Sequence, residues 1–267
     1  MDRDHQHIRR AELLERIRKG APRALLLDYD GTLAPFRIER NQAVIDPRYL
    51  PPLRNILERG RTRVVIISGR AIDDLKPLVD LQPMPELWGS HGWERLLPDG
   101  TYIAPDLSEI QRDTLRRAMQ WADDERLGER CEHKPAGVAI HWRGLSDSAI
   151  ADLYTRTHGA WKELVSVNSG IEIHTFDGGL ELRATGRDKG WAVKQILRDL
   201  PNQAVIAYAG DDTTDEDAFI ALCGRGTGLL IRPESRPTAA DVWLKAPDEW
   251  ERFLRDWMTA DREGGDV

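Results

Sequence analysis

Apolar residues fall into two kinds of pattern along this chain. Ile8, Ala11, Leu14 and Ile17 recur at helical spacing and the run stops at Gly20, which predicts an amphipathic leading helix closed by a left-handed glycine. Four later runs are continuous instead: Ala24 to Leu27, Arg63 to Ile67, Glu86 to Trp88 and Ala204 to Ala209. Short continuous apolar runs predict strands buried on both faces, and helical patterns separate several of them. Strand, loop, helix, strand in succession predicts an α/β fold with a doubly wound, Rossmann-like parallel sheet. Such sheets bind ligands beyond the carboxyl ends of their strands.

Between about Tyr102 and Leu182 the pattern changes. Helical stretches near Ser108 to Glu125 and Ser146 to Trp161 alternate with strand-like Gly137 to Trp142 and Gly170 to Thr175. We expect a smaller α/β cap over residues 102–182, inserted into a discontinuous core of residues 1–101 and 183–267. Turn signals at Leu97-Pro98-Asp99-Gly100-Thr101 and at Asp177-Gly178-Gly179 lie near its two ends. The tail from Ala260 to Val267 is polar and is expected to fray.

Composition narrows the partners. The 267 residues are 40% hydrophobic, enough for a full core, and the formal net charge of -7 gives no long-range attraction to nucleic acid or an anionic membrane. An anionic ligand would need a local basic pocket. Cys131 and Cys223 are the only cysteines, so no disulfide framework is expected. The N-terminus is charged, and no apolar run reaches the roughly 18 residues that span a bilayer, so a cytoplasmic protein is expected.

Four strand ends carry chemistry. The first apolar run leads directly into Asp28-Tyr29-Asp30-Gly31-Thr32. At the sheet period of two, Asp28 and Asp30 project to one side, one able to attack phosphorus and the other to handle a leaving-group proton. The same residues also fit an ordinary Asp-Gly turn. Val64-Val65-Ile66-Ile67 ends in Ser68-Gly69-Arg70, where a hydroxyl and free backbone N–H groups suit a phosphate oxygen, or where Ser68 simply caps a helix.

The third segment, Arg187-Asp188-Lys189-Gly190, places a lysine in the first turn of a helix, against the macrodipole. Lys189 can be an exposed residue tolerating that small cost, or a point charge that offsets repulsion between a carboxylate and a phosphate. The fourth, Gly210-Asp211-Asp212-Thr213-Thr214-Asp215-Glu216-Asp217, delivers five acids within seven residues. Helix capping explains some of them; a hard divalent cation such as Mg²⁺ would relieve the repulsion of the rest.

In order and separation these segments resemble the haloacid dehalogenase superfamily. The resemblance implies that Asp28 is the nucleophile, Asp30 the general acid and base, and Ser68 and Lys189 the phosphate ligands. It also implies a Mg²⁺ site at Asp28, Asp30 and Asp211, supported by Asp212 and Asp215. Within the superfamily the chain looks like the trehalose-6-phosphate phosphatase family over nearly its whole length. The resemblance is carried by Ile67-Ser68-Gly69-Arg70, Gly89-Ser90-His91-Gly92, Glu132-His133-Lys134 with His141-Trp142-Arg143, and Leu180-Glu181-Leu182-Arg183. It implies that Arg70, His91, Glu132, Lys134, Arg143 and Glu181 bind glucose hydroxyls and phosphate. Read without the resemblance, the histidines fit structural roles equally well and Glu132 with Lys134 fits a solvated strand face. Trp93 departs from the family, which often has a smaller residue after Gly92. The length leaves no room for the synthase domain that some relatives carry fused, so a separate trehalose-6-phosphate synthase is expected to supply the substrate.

The expected reaction is attack of Asp28 on a sugar phosphate, then hydrolysis of the aspartyl-phosphate by water activated through Asp30, behind a closing cap. Phosphatases for sucrose phosphate or glucosylglycerol phosphate, a phosphomutase, and a non-catalytic sugar-phosphate sensor are the alternatives.

Overall fold

The computed structural model describes residues 3–37, 39–165, 170–176 and 178–264. The chain divides into two compact units, Met1–Ile103 with Asp188–Val267, and Ala104–Arg187.

The larger unit opens with helix α1 (Arg3–Arg18), strand β1 (Arg23–Leu27), helix α2 (Leu50–Arg59), strand β2 (Thr62–Ile67), the one-turn helix α3 (Ile72–Leu75), and strands β3 (Glu86–Gly89), β4 (Glu94–Leu96) and β5 (Tyr102–Ile103). The smaller unit follows with α4 (Glu109–Asp124), β6 (Cys131–Lys134), β7 (Gly137–His141), α5 (Asp147–Leu164), β8 (Ile171–Phe176) and β9 (Gly179–Ala184). The chain then returns to the larger unit through α6 (Lys189–Asp199), β10 (Val205–Gly210), α7 (Glu216–Leu222), β11 (Thr227–Arg232), β12 (Val242–Lys245) and α8 (Asp248–Glu263).

The core sheet has the order β12-β11-β10-β1-β2-β3-β4-β5. Pairing is parallel from β12 through β3, and β4 and β5 extend it antiparallel. Every residue of β1 and β10 is buried, as continuous apolar runs require in the middle of a doubly covered sheet. The smaller unit's sheet, β6-β7-β9-β8, is antiparallel throughout.

Three expectations need correction or completion. The turn at Leu97 to Thr101 closes a hairpin inside the core sheet, with Leu97 N donating to the Thr101 carbonyl at 2.9 Å, so the inserted unit begins at Ala104. At the other end, Arg183 pairs with Gly137 in the smaller sheet, and the larger unit resumes at Asp188 rather than Arg183. The expected turn at Asp177-Gly178-Gly179 includes Asp177, which lies outside the described residues.

The tail is not frayed through Ala260 and Asp261. An apolar stripe of Trp250, Phe253, Leu254, Trp257 and Ala260 is fully buried and carries α8 to Glu263; residues 265–267 lie outside the described residues. Asp261, at 0% exposure, accepts from Arg23 Nε at 2.7 Å and Thr62 Oγ1 at 2.6 Å, which fastens the helix to β1 and β2. Its polarity conceals a buried role that periodicity alone does not reveal. Among the described residues, no helix is long and apolar enough to cross a membrane.

Candidate active site

Parallel order and register bring the carboxyl ends of β1, β2 and β10 side by side. Asp28 follows β1 and still donates its N–H to the Ala209 carbonyl at 2.8 Å, so the strand's rigidity extends to that residue. Tyr29 turns the other way and is anchored by its hydroxyl to the Ala43 and Leu78 carbonyls. Gly31 then takes φ +87°; a Cβ there would lie 2.2 Å from Asp211 Oδ2, so only glycine admits the approach of the β10 acid to the β1 loop.

Lys189 is 3% exposed at the start of α6. Its Nζ donates to Asp28 Oδ1 at 2.6 Å and Asp215 Oδ1 at 2.7 Å. The lysine is therefore not a tolerated surface charge, and the helix start that disfavours it is offset by two carboxylates. Burial alone would lower its pKa, but Asp215 and Asp28 overcome that and hold it above the ordinary lysine value.

Asp215 has a full set of partners. Its Oδ1 accepts from Lys189 and from Tyr208 Oη at 2.5 Å, and its Oδ2 accepts from the backbone N–H groups of Asp211 and Asp212, each at 2.9 Å. It organises the β10 loop from beneath. Asp28 Oδ2 and Asp211 Oδ1, by contrast, are buried with no hydrogen-bond donor. Burial, followed by repulsion from Asp28 and Asp215, pushes the Asp211 carboxyl well above the usual range. Burial is also the largest influence on Asp28, whose pKa is pushed up to about 7 although Lys189 draws it down.

Asp28, Asp211 and Asp215 offer ligand atoms that all lie within 4.8 Å of one another. Because both oxygens of Asp215 are committed to donors, Asp28 and Asp211 are the two acids with an oxygen to offer a cation. Two orphaned, buried, mutually repelling carboxylate oxygens fit a hard divalent ion.

The side chain of Asp30 does not join that group. It forms a two-pronged ion pair with Arg70, Nε to Oδ2 at 2.7 Å and Nη2 to Oδ1 at 2.6 Å, while Arg70 Nη1 donates to the Arg40 carbonyl. The expected metal role of Asp30 is therefore not supported by its carboxylate, and Arg70, expected on substrate, is engaged by the acid. Ser68, 1% exposed, accepts from Arg70 N at 3.1 Å. The His91 ring lies over Gly69, where an added Cβ would come within 2.7 Å of it. Asp212 caps the following turn through Thr213 N at 2.7 Å.

The smaller unit carries its own polar cluster. Glu132 and Glu181 flank Ala139 of β7 in register, and Lys134 shares a strand face with Glu132. Lys134 Nζ donates to Glu181 Oε1 at 2.6 Å, and His141 Nε2 lies 2.9 Å from Glu132 Oε2. Both glutamates are buried, so the solvated-face reading of Glu132 and Lys134 is overturned. Arg143, beyond β7, packs on Gly178, where an added Cβ would lie 2.5 Å from its Nε.

Residue patterns alone did not reveal Tyr208 or the Asp30–Arg70 pair. Arg232 and Arg236, which donate to the Asp211 and Asp212 carbonyls, were missed too. Tyr208 had a weak signal, as the one large polar side chain in the Ala207-Tyr208-Ala209 strand end.

Residues 26–241 match the trehalose-phosphatase family model. The chain belongs to the trehalose-phosphatase family. A trehalose-phosphate phosphatase of Mycobacterium marinum is 31% identical over 244 residues, 86% of this chain and 60% of that protein. The chain thus spans about 60% of the length of the curated family members it first matches. The C-terminal domain of Candida albicans trehalose-6-phosphate phosphatase superposes with a TM-score of 0.75 at 20% identity, covering 95% of this chain and 96% of that one. A haloalkanoate-superfamily phosphatase of Bacteroides thetaiotaomicron superposes at 0.59 with 17% identity, covering 90% and 96%. The chain therefore shares its fold with that phosphatase.

Proposed function

We propose that this family member is a Mg²⁺-dependent phosphatase that hydrolyses trehalose 6-phosphate to trehalose and phosphate. The observation that carries the reading is Asp28, with one carboxylate oxygen fixed by Lys189 and the other directed to no donor beside Asp211. Family membership and the mycobacterial relative support the choice of sugar. Mg²⁺, held by Asp28 and Asp211, supplies charge neutralisation for the transferring phosphoryl group.

In the first step the Asp28 carboxylate attacks phosphorus, the ester oxygen leaves with a proton from Asp30, and an aspartyl-phosphate remains. Lys189 and Ser68 hold the phosphoryl oxygens. In the second step Asp30 takes a proton from water, which attacks the acyl phosphate and regenerates Asp28. The Arg70 ion pair fixes the Asp30 carboxylate in place, which suits the second step; the pair has to open for Asp30 to donate in the first. Arg70 and His91 are assigned to phosphate. In the smaller unit Glu132, Lys134 and Glu181, with Arg143, are assigned to glucose hydroxyls. The substrate is assigned to a separate synthase in the cytoplasm.

Phosphate release from trehalose, sucrose, glucosylglycerol and glucose phosphates tests the reading. Trehalose 6-phosphate is expected to exceed the others by at least about tenfold, and chelation to abolish the activity. Equal rates across the panel would overturn the sugar, and chelator-resistant turnover would overturn the cation.

A linked pH effect follows from the raised carboxyls. Asp28 titrates near 7 in the folded protein against 3.8 when unperturbed, so between those values the folded state binds more protons than the unfolded chain. Stability of the cation-free protein therefore falls as pH rises through that window. Mg²⁺ competes with the proton, so its addition should raise the melting temperature more at about pH 8 than at about pH 6. A larger gain at the acidic pH would contradict the assignment of Asp28 and Asp211 as ligands.

A further inference from the structure

Glu94 is 2% exposed, and none of the steps above uses it. Its carboxylate gathers the Ser90 hydroxyl at 2.5 Å, the Tyr102 hydroxyl at 3.0 Å, and the Ile72 N–H, which lies 3.3 and 3.4 Å from its two oxygens. Two of these donors flank the loop assigned to phosphate: Ile72 lies two residues beyond Arg70, and Ser90 immediately precedes His91.

The backbone between them is unusual. Ser90 and His91 have φ of 47° and 56°, and Gly92 follows at 96°, so three successive residues occupy the left-handed region. Residues with a Cβ resist that conformation and persist in it only when their surroundings over-determine it. Here the turn grips the adjacent loop. Ser90 N donates to the Arg70 carbonyl at 2.7 Å, His91 N donates to the Ser68 carbonyl at 3.0 Å, and the His91 ring covers Gly69. Arg70 in turn orients Asp30. A charge-assisted hydrogen bond from Ser90 to a buried carboxylate is the strongest side-chain tether on the turn's first strained residue.

We infer that Glu94 is a positioning residue: it holds Ser90 and His91 in the left-handed turn that clamps the Ser68–Arg70 loop, and so sets that loop's grip on phosphate. The inference rests on the assignment of Ser68 and Arg70 under the proposed function.

The test is a double-mutant cycle on the full chain with Mg²⁺ present, read as the dissociation constant of inorganic phosphate alongside the melting temperature. Glu94→Gln keeps the shape and removes the charge; it is expected to weaken phosphate binding about tenfold. Ser90→Gly removes the tether but also the need for it, because glycine adopts this φ freely, and should cost less than about threefold. In the Ser90→Gly background, Glu94→Gln should add less than about twofold, since the turn no longer has to be held. The same factor in both backgrounds would overturn the inference. So would a Glu94→Gln variant that melts lower yet binds phosphate as tightly as the wild type, the outcome of a purely structural role. Failure of the wild-type chain to bind phosphate would overturn the reading of the site and this inference with it, whereas wild-type binding with an unaffected Glu94→Gln variant removes the inference alone.

Discussion

Asp28→Asn is expected to remove turnover, by about 10⁴-fold or more, while raising the melting temperature of the cation-free protein. The two effects have one cause. Around Lys189 the fold buries three carboxylates, Asp28, Asp211 and Asp215, against one ammonium. Asp28 is pushed up to about 7 chiefly by burial, so its ionised form destabilises the fold wherever it is populated without a cation. Asparagine has nearly the same shape, leaves Lys189 paired with Asp215, and removes one of the repelling charges. The gain should register at about 2–4 °C per kcal/mol relieved. Because the cation loses a ligand, Mg²⁺ should stabilise the variant less than the wild type. Phosphate release comparable to wild type would remove Asp28 as nucleophile; a lower melting temperature would contradict the charge balance described here.

What was legible in the sequence follows from how far apart the interacting residues lie. Strands β1, β2 and β10 are buried on both faces, so they appear as unbroken apolar runs, and the chemistry at their ends is conspicuous because the run stops there. Asp28, Ser68 and Asp211 are found this way, and the parallel order brings the carboxyl ends of these strands together; Lys189 shows instead as a lysine in the first turn of α6, against the macrodipole. Strands β4 and β5 have only three and two residues, too few to show a period. The partners through which Asp215 supports the site were also hidden, since its four donors come from Lys189, Tyr208 and two backbone groups. Asp30 alternates with Asp28 along the chain, but Arg70, 40 residues on, decides where its carboxylate points. Glu132 and Lys134 look like an exposed alternation until Glu181, from a strand 47 residues beyond Lys134, closes over the lysine.

Lys189→Met should be the most destabilising single change in the site. Methionine matches the length and volume of the lysine stem, so no cavity explains the effect. It leaves Asp28 and Asp215 buried without their counter-charge, and breaking one side of a buried ion pair costs about 3–5 kcal/mol, or roughly 6–20 °C in a chain of this size. Activity should fall by about 10³-fold or more, since the charge that offsets nucleophile–phosphate repulsion is gone. The pH dependence separates this cause from poor packing. Without the ammonium the Asp28 carboxyl is raised further above its unfolded value, so the folded state takes up protons and recovers stability as pH falls. The melting deficit should therefore shrink on going from about pH 8 to about pH 5.5, and it should be smaller when Asp28→Asn is already present, because one of the stranded charges has been removed beforehand. A deficit that is constant with pH and additive with Asp28→Asn would mean that Lys189 acts through its aliphatic stem, and the electrostatic account of the site would fail at its centre.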